Sequence, residues 1–161
     1  MQAELKEYLE EHYAAKEWYG RSNSSRRMVK GFRVEDLELK TWKLQRAKRD
    51  ERDGTVAFFS LWGRSDSGDE LLSIDVFECA SVKAAHDQLL EALANVQSPK
   101  VERITEKTAP GDVAFGLANT MILFARANLA VSIRNAGPRV VPVGIAAREL
   151  DAQILRRLKS E

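Results

Sequence analysis

ILFARANLAVSIRNAG, residues 122–137, is the stretch on which the fold turns. A two-residue turn at Ala127-Asn128 sets Arg126 opposite Leu129, Phe124 opposite Val131 and Ile122 opposite Ile133, stacking apolar pairs on one face. Leu123 then opposes Ser132, and Ala125 opposes Ala130, on the other face. A slip of one residue would turn every apolar side chain to the wrong side, so pattern and turn select one register. Asn128 tolerates the positive φ such turns require; Ala127 is the weak point, where glycine fits better. Arg126 and Arg134 mark the ends of the pairing and read as exposed.

Downstream, NAGPRVVP breaks the alternation and Pro142 opens a helix. Val143, Ala146, Leu150, Ile154 and Leu158 recur at helical spacing, with Arg156, Arg157 and Lys159 at the negative C-terminal end. Upstream, VERIT is a short alternating strand, and APGDVAFGLA begins as a turn that leads into another. Before these, Ser81 is a natural N-cap for a helix whose apolar face is Val82, Ala85, Leu89, Leu93 and Val96; Pro99 blocks its continuation.

Residues 37–78 alternate with a period near two. Leu37 and Leu39, then Trp42 and Leu44, are in different phase, which calls for a bulge or an irregular edge. Asp53-Gly54 is a strong hairpin signal. In TVAFFSLWG both parities are apolar: Val56, Phe58 and Trp62 on one side, Ala57, Phe59 and Leu61 on the other. Such a strand wants a central place covered on both faces. SDSGD is the next turn and ELLSIDVFECA a third strand, completing an antiparallel meander.

The reading is an α+β domain, βββα-βββα, with an antiparallel sheet of about six strands. The two helices are expected on one face, and an N-terminal helix over residues 3–19, stopped at Gly20, on the other. The domain organisation is a helix at 1–20, a basic Ser-rich connector at 21–36 and one α+β domain at 37–161.

Composition narrows function only by exclusion. The 161 residues carry 25 lysines and arginines against 24 acids, a net charge of +1, so no bulk charge directs the chain to a polyanion. One cysteine, Cys79, precludes an intramolecular disulfide and a multi-cysteine zinc site. MQAELKEYLEEHY lacks the apolar core of a signal peptide, and no apolar run is long enough to cross a bilayer. As written the chain reads as cytoplasmic; it would be extracytoplasmic if a signal or anchor had been removed.

Four features invite a functional reading. Cys79 and His86 would need hydrogen-bond contact to make a nucleophile, yet one ends a strand and the other lies well into a helix, each residue of which advances ~1.5 Å. The bland reading is a packed thiol and a histidine at the rim of an apolar face. Asp75, within IDVF, is a candidate buried acid, but Glu78 falls on the opposite face and no second acid joins it. Trp42 and Trp62 are placed to meet across the first hairpin, as core filler or as the lining of a ligand cleft. The segment 21–49 carries Arg21, Arg26, Arg27, Lys30, Arg33, Lys43 and Arg46 with Phe32 and Trp42 among them, a mix that suits single-stranded nucleic acid or another polyanion. It suits equally a solvated linker and an edge strand whose lysines deter pairing. His12 has no metal-binding spacing around it, the glycines at 111 and 116 lack the context of a phosphate loop, and no Walker, GxSxG or HExxH pattern is present.

The favoured expectation is a non-enzymatic domain that binds a protein partner or small ligand through a sheet face or cleft at Trp42, Trp62 and Asp75, with no cofactor and no metal. The alternatives are polyanion binding through 21–49 and a hydrolase or thiol enzyme built on Asp75 or Cys79.

Overall fold

A computed structural model describes residues 1–18, 27–64 and 67–160. The chain is α+β. Helix α1 (Ala3–His12) and a 3-10 turn (Ala15–Glu17) come first; strands β1 (Trp42–Arg52), β2 (Thr55–Arg64) and β3 (Ser67–Glu78) follow. Helix α2 (Val82–Val96) leads to β4 (Glu102–Arg103), β5 (Val113–Leu117), β6 (Met121–Arg126) and β7 (Leu129–Asn135), and α3 (Gly144–Ser160) closes the chain. The seven strands form one antiparallel sheet in the order β1-β2-β3-β7-β6-β5-β4. Two meanders therefore meet at their last strands. β4, within the strand expected at VERIT, is a two-residue pairing at the far edge.

The β6–β7 hairpin has the expected register, from Arg126↔Leu129 to Ile122↔Ile133. Its turn differs in one respect: Ala127 takes the positive φ, at 52°. Asn128 is instead spent on hydrogen bonds. Its side chain accepts from the Val29 N–H at 2.7 Å and donates to the carbonyls of Val29 and Cys79 at 2.8 and 2.9 Å. Next to it, Arg126 is not exposed: its guanidinium donates to both carboxylate oxygens of Asp151 at 2.9 Å and to Asp112 at 3.1 Å. Burial works against that cation, but Asp151 and Asp112 more than restore it and its pKa stays high. Two side chains at one turn thus fasten α3, the approach to β5 and the segment after residue 27.

The expectation that both sheet-following helices share one face is corrected. α2 packs through Leu89, Leu90 and Leu93 against Leu123, Ala125, Val113 and Phe115. α3 packs through Ala146, Ala147, Leu150 and Ile154 with Phe124, Val131 and Ile133, which point the other way. Helical periodicity shows that a helix has an apolar face, not which side of a two-sided sheet receives it. β6 and β7 are apolar in both parities over most of their length, so both sides could take a helix.

The N-terminal helix lies with α2, not across an empty face. Leu9, Ala15 and Trp18 join Leu89, Leu90 and Phe115, and Tyr13 meets the Phe115 ring edge-on at 5.2 Å. Of the expected connector, Arg21 and Arg26 lie outside the described residues, as does Gly20. Residues 27–39 reach into the core: Val29, Phe32, Val34, Leu37 and Leu39 are buried, and Phe32 packs edge-on against Phe58. This irregular run covers the β1–β3 half of the sheet beside α3. Leu37 and Leu39 precede the first strand, and the bulge falls at Gln45, between Leu44 and Arg46.

A candidate binding face on the open half of the sheet

On the α3 side, cover runs from Trp42 and Leu44 of β1 across β2, β3, β7 and β6; on the α2 side it stops short of β1 and β2 among the described residues. α2 and α1 lie over β5, β6 and β7 and touch the margin of β3. Among the described residues no element lies over the same side of β1, β2 and most of β3.

Register defines what this half-sheet presents. Residues opposite one another in an antiparallel pair point to the same side. Lys48, Phe59, Asp75 and Ser132 form one row across four strands, and Arg46, Leu61, Ser73 and Arg134 the next. The bulge at Gln45 lies just beyond the second row and changes the alternation there. It lets Leu44 stay on the α3 side, opposite Trp62, while Lys43 and Arg46 both face the open side, opposite Gly63 and Leu61.

The face is apolar at its centre. Phe59 is 38% exposed, unusual for a phenylalanine in a sheet interior, and packs edge-on against Phe77 at 5.9 Å. Phe59, Leu61, Ser73 and Asp75 line a shallow groove of about 510 Å³ whose outer wall is Arg46 and Lys48. A second hollow of about 320 Å³ continues it beneath α2, between Asp75, Phe77, Gln88, Glu91 and Arg134. Asp75 belongs to both. Its carboxylate lies 3.7 Å from the Arg134 guanidinium. Burial raises its pKa above the ordinary carboxylate value, and Arg134 draws it partly back. Cations line the β1 edge of the groove, while Asp75 and Glu91 lie toward α2.

Trp42 and Trp62 are elsewhere. Both are buried on the α3 side, at 7% and 2% exposure, and they are not directly opposed: Trp42 pairs with Arg64 and Leu44 with Trp62. The Asp53-Gly54 turn sets Arg52 against Thr55, a register in which Trp42 falls past Trp62; the bulge returns Trp42 to the same side of the sheet without opposing the two. The Trp62 N–H donates to the Ser60 hydroxyl, which donates to the Ile74 carbonyl. Arg64 lies over the Trp42 ring at 5.4 Å.

The other candidates are dispersed. Arg27 donates to the carbonyls of Leu158 and Lys159 at the end of α3, Arg33 pairs with Glu35, and Lys30 is exposed. Among the described residues of the basic set, Lys43 and Arg46 alone reach the open face. Cys79 is buried, and burial pushes its thiol up to about 11, so it is protonated at neutral pH. His86 is not at a rim but fully buried, with the Trp18 ring edge-on at 5.4 Å. Among the described residues no three metal-ligating side chains gather, and no helix is long and apolar enough to cross a membrane.

Sequence reasoning found Asp75 and Arg46 but passed over Phe59, Leu61 and Lys48. The signal was present: β2 was read as apolar on both sides, and among the described residues no element covers one of them. Comparison with protein-family models, curated proteins and solved structures gives no match.

Proposed function

We propose that this chain is a non-enzymatic α+β domain that binds a protein partner or small ligand through the open half-sheet of β1–β3. The observation that carries this reading is the unequal cover of the two sides. Residues 29–39 shield Phe58 and Trp62 on one side, while Phe59 and Leu61 stand uncovered on the other among the described residues. An apolar patch rimmed by charge is the usual surface character of an interaction site. The shallow, open groove favours recognition over catalysis, which requires converging groups and exclusion of water. Asp75 is shifted by burial and drawn back by Arg134, and the charges that act on Cys79, those of Glu78 and Asp87, are negative and raise its thiol further.

Screening a library of small fragments and short peptides by amide NMR tests this. Shifts are expected to cluster at residues 57–61 and 73–77 and to vanish in Phe59→Asp, with the fold retained. Hits that gather at Cys79 would revive the thiol reading. A heparin oligosaccharide that moves Arg27, Lys30 and Arg33 instead would favour polyanion binding, with the steep salt dependence such contacts carry.

A further inference from the structure

We infer that the occupant of the open half-sheet is an amphipathic helix of another protein, acidic along the flank that meets β1. The inference rests on the binding-face reading above and names the partner's chemistry. Its first support is the space left in the layer. α2 lies over β7 and β6 and reaches only the margin of β3. Packed helices sit ~8–10 Å apart and strands about 4.8 Å apart, so a helix beside α2 has its axis two strands further on. That axis falls over β2 and β3, along the groove of Phe59, Leu61 and Ser73, with Gln88, Glu91 and Asn95 of α2 as the near wall. A helix satisfies its own backbone hydrogen bonds, and a sheet face asks for that, because strand N–H and C=O groups point along the sheet. Among the described residues the three helices of this chain already turn apolar side chains inward, through Leu9 on α1, Leu89 and Leu93 on α2, and Leu150 and Ile154 on α3. The helix that fits here therefore belongs to another protein.

Charge is the second support. Lys43, Arg46 and Lys48 are exposed along the β1 edge of the face. Among the described residues none of the three has an ion-pair partner, whereas Arg49, on the opposite side of β1, pairs with Glu51. Nearer the turn, Asp50 and Arg52 continue the open side and offset one another. Toward α2, Asp75 is answered by Arg134, and Glu91 stands exposed on the helix. The two walls thus differ in sign: three uncompensated cations along β1, and an acid along α2. An occupant that matches both carries acids toward β1 and a cation toward α2.

Spacing is the third. Arg46 and Lys48 are two residues apart on a strand, which is ~6.6 Å at ~3.3 Å per residue. Side chains four residues apart on a helix are ~6 Å apart along its axis, at ~1.5 Å per residue. Acids at that interval therefore come into step with the two cations. Lys48 stands opposite Phe59, and Arg46 opposite Leu61. Each acid and the residue next to it, about 100° round the helix, thus meet a cation and its apolar neighbour together. Addition of an extended segment to the free edge of β1 is disfavoured by comparison. The charged side chains of that edge oppose it, and it would leave Phe59 and Leu61, one strand further in, uncovered.

Titration of the full chain with two synthetic helical peptides, followed by amide NMR, tests the inference. Both carry leucines at spacings of three and four over ~18 residues, about five turns. One has glutamates at every fourth position along one flank; the other has lysines in their place. The glutamate peptide is expected to shift residues 57–61 and 73–77 and to bind about tenfold more tightly than the lysine peptide, a gap that narrows with added salt. Arg46→Glu/Lys48→Glu should reverse the preference, and its binding of the lysine peptide shows that it is folded. Equal affinities, a preference for the lysine peptide, no shift by either, or an unchanged preference in the variant overturns the inference. So does a chain that covers Phe59 by dimerising with itself, or one that prefers a single-stranded oligonucleotide to the glutamate peptide. Where small fragments still shift residues 57–61, such a result leaves the binding face intact and removes only the acidic helix. Failure of the fragments as well removes the face.

Discussion

Asp75 is the residue at which burial, charge and binding meet. Its carboxyl is held above its ordinary 3.8 by desolvation, with Arg134 opposing. A folded-state value above the unfolded one means that the folded chain holds the proton more tightly. The contribution is therefore fully present below the unfolded pKa and lost as pH rises through the folded one. Asp75→Asn removes that loss, so at pH 7 the variant is expected to match or exceed the parent in stability and to depend less on pH in the acid range. Carboxyl NMR titration and urea midpoints at two pH values measure this. An Asp75 pKa below 3.8 would contradict it, as would a loss at pH 7 beyond the ~1 kcal/mol of a partly exposed ion pair. The place of Asp75 on a strand was readable from alternation. Its neighbour Ser132 was not, because the pairing of β3 with β7 joins strands far apart in sequence, an order that alternation leaves open.

At the scale of elements, the β6–β7 hairpin was legible to the last pair, since both faces were patterned and the turn had one solution. Its fastenings were not. Nothing in FARANL says that Arg126 reaches Asp112 and Asp151, which are distant in sequence and brought together only when α3 docks. The side chains of Asp112 and Asp151 are 1% and 9% exposed. Arg126→Ala would leave two buried carboxylates without their cation, and a loss of about 3–5 kcal/mol is expected in denaturant unfolding. Arg126→Lys should fall between, keeping the charge without the two-pronged contact to Asp151. A loss under ~1 kcal/mol for the alanine variant would show that the network does not hold α3. Residues 27–39 were hard to read for a different reason: Val29, Phe32 and Val34 are single anchors in irregular backbone, and irregular backbone has no period to detect.

For the whole molecule, class and element order followed from pattern, while the sidedness of the helices did not. A sheet apolar on both sides accepts helices on either, and the choice made here leaves the α2 side of β1, β2 and most of β3 without cover among the described residues. That vacancy was visible in sequence only as an excess: β2 carries more apolar side chains than one covered face needs. The most direct test of the account is solvent paramagnetic relaxation of the side chains of β2, measured with an inert gadolinium chelate at a concentration where the chain sediments as a monomer. Phe59 and Leu61 should relax strongly, while Phe58 and Trp62, one residue away on the same strand, stay protected. Equal protection of Phe59 and Phe58 would mean that both sides of the strand are covered, and no open face would remain to bind anything.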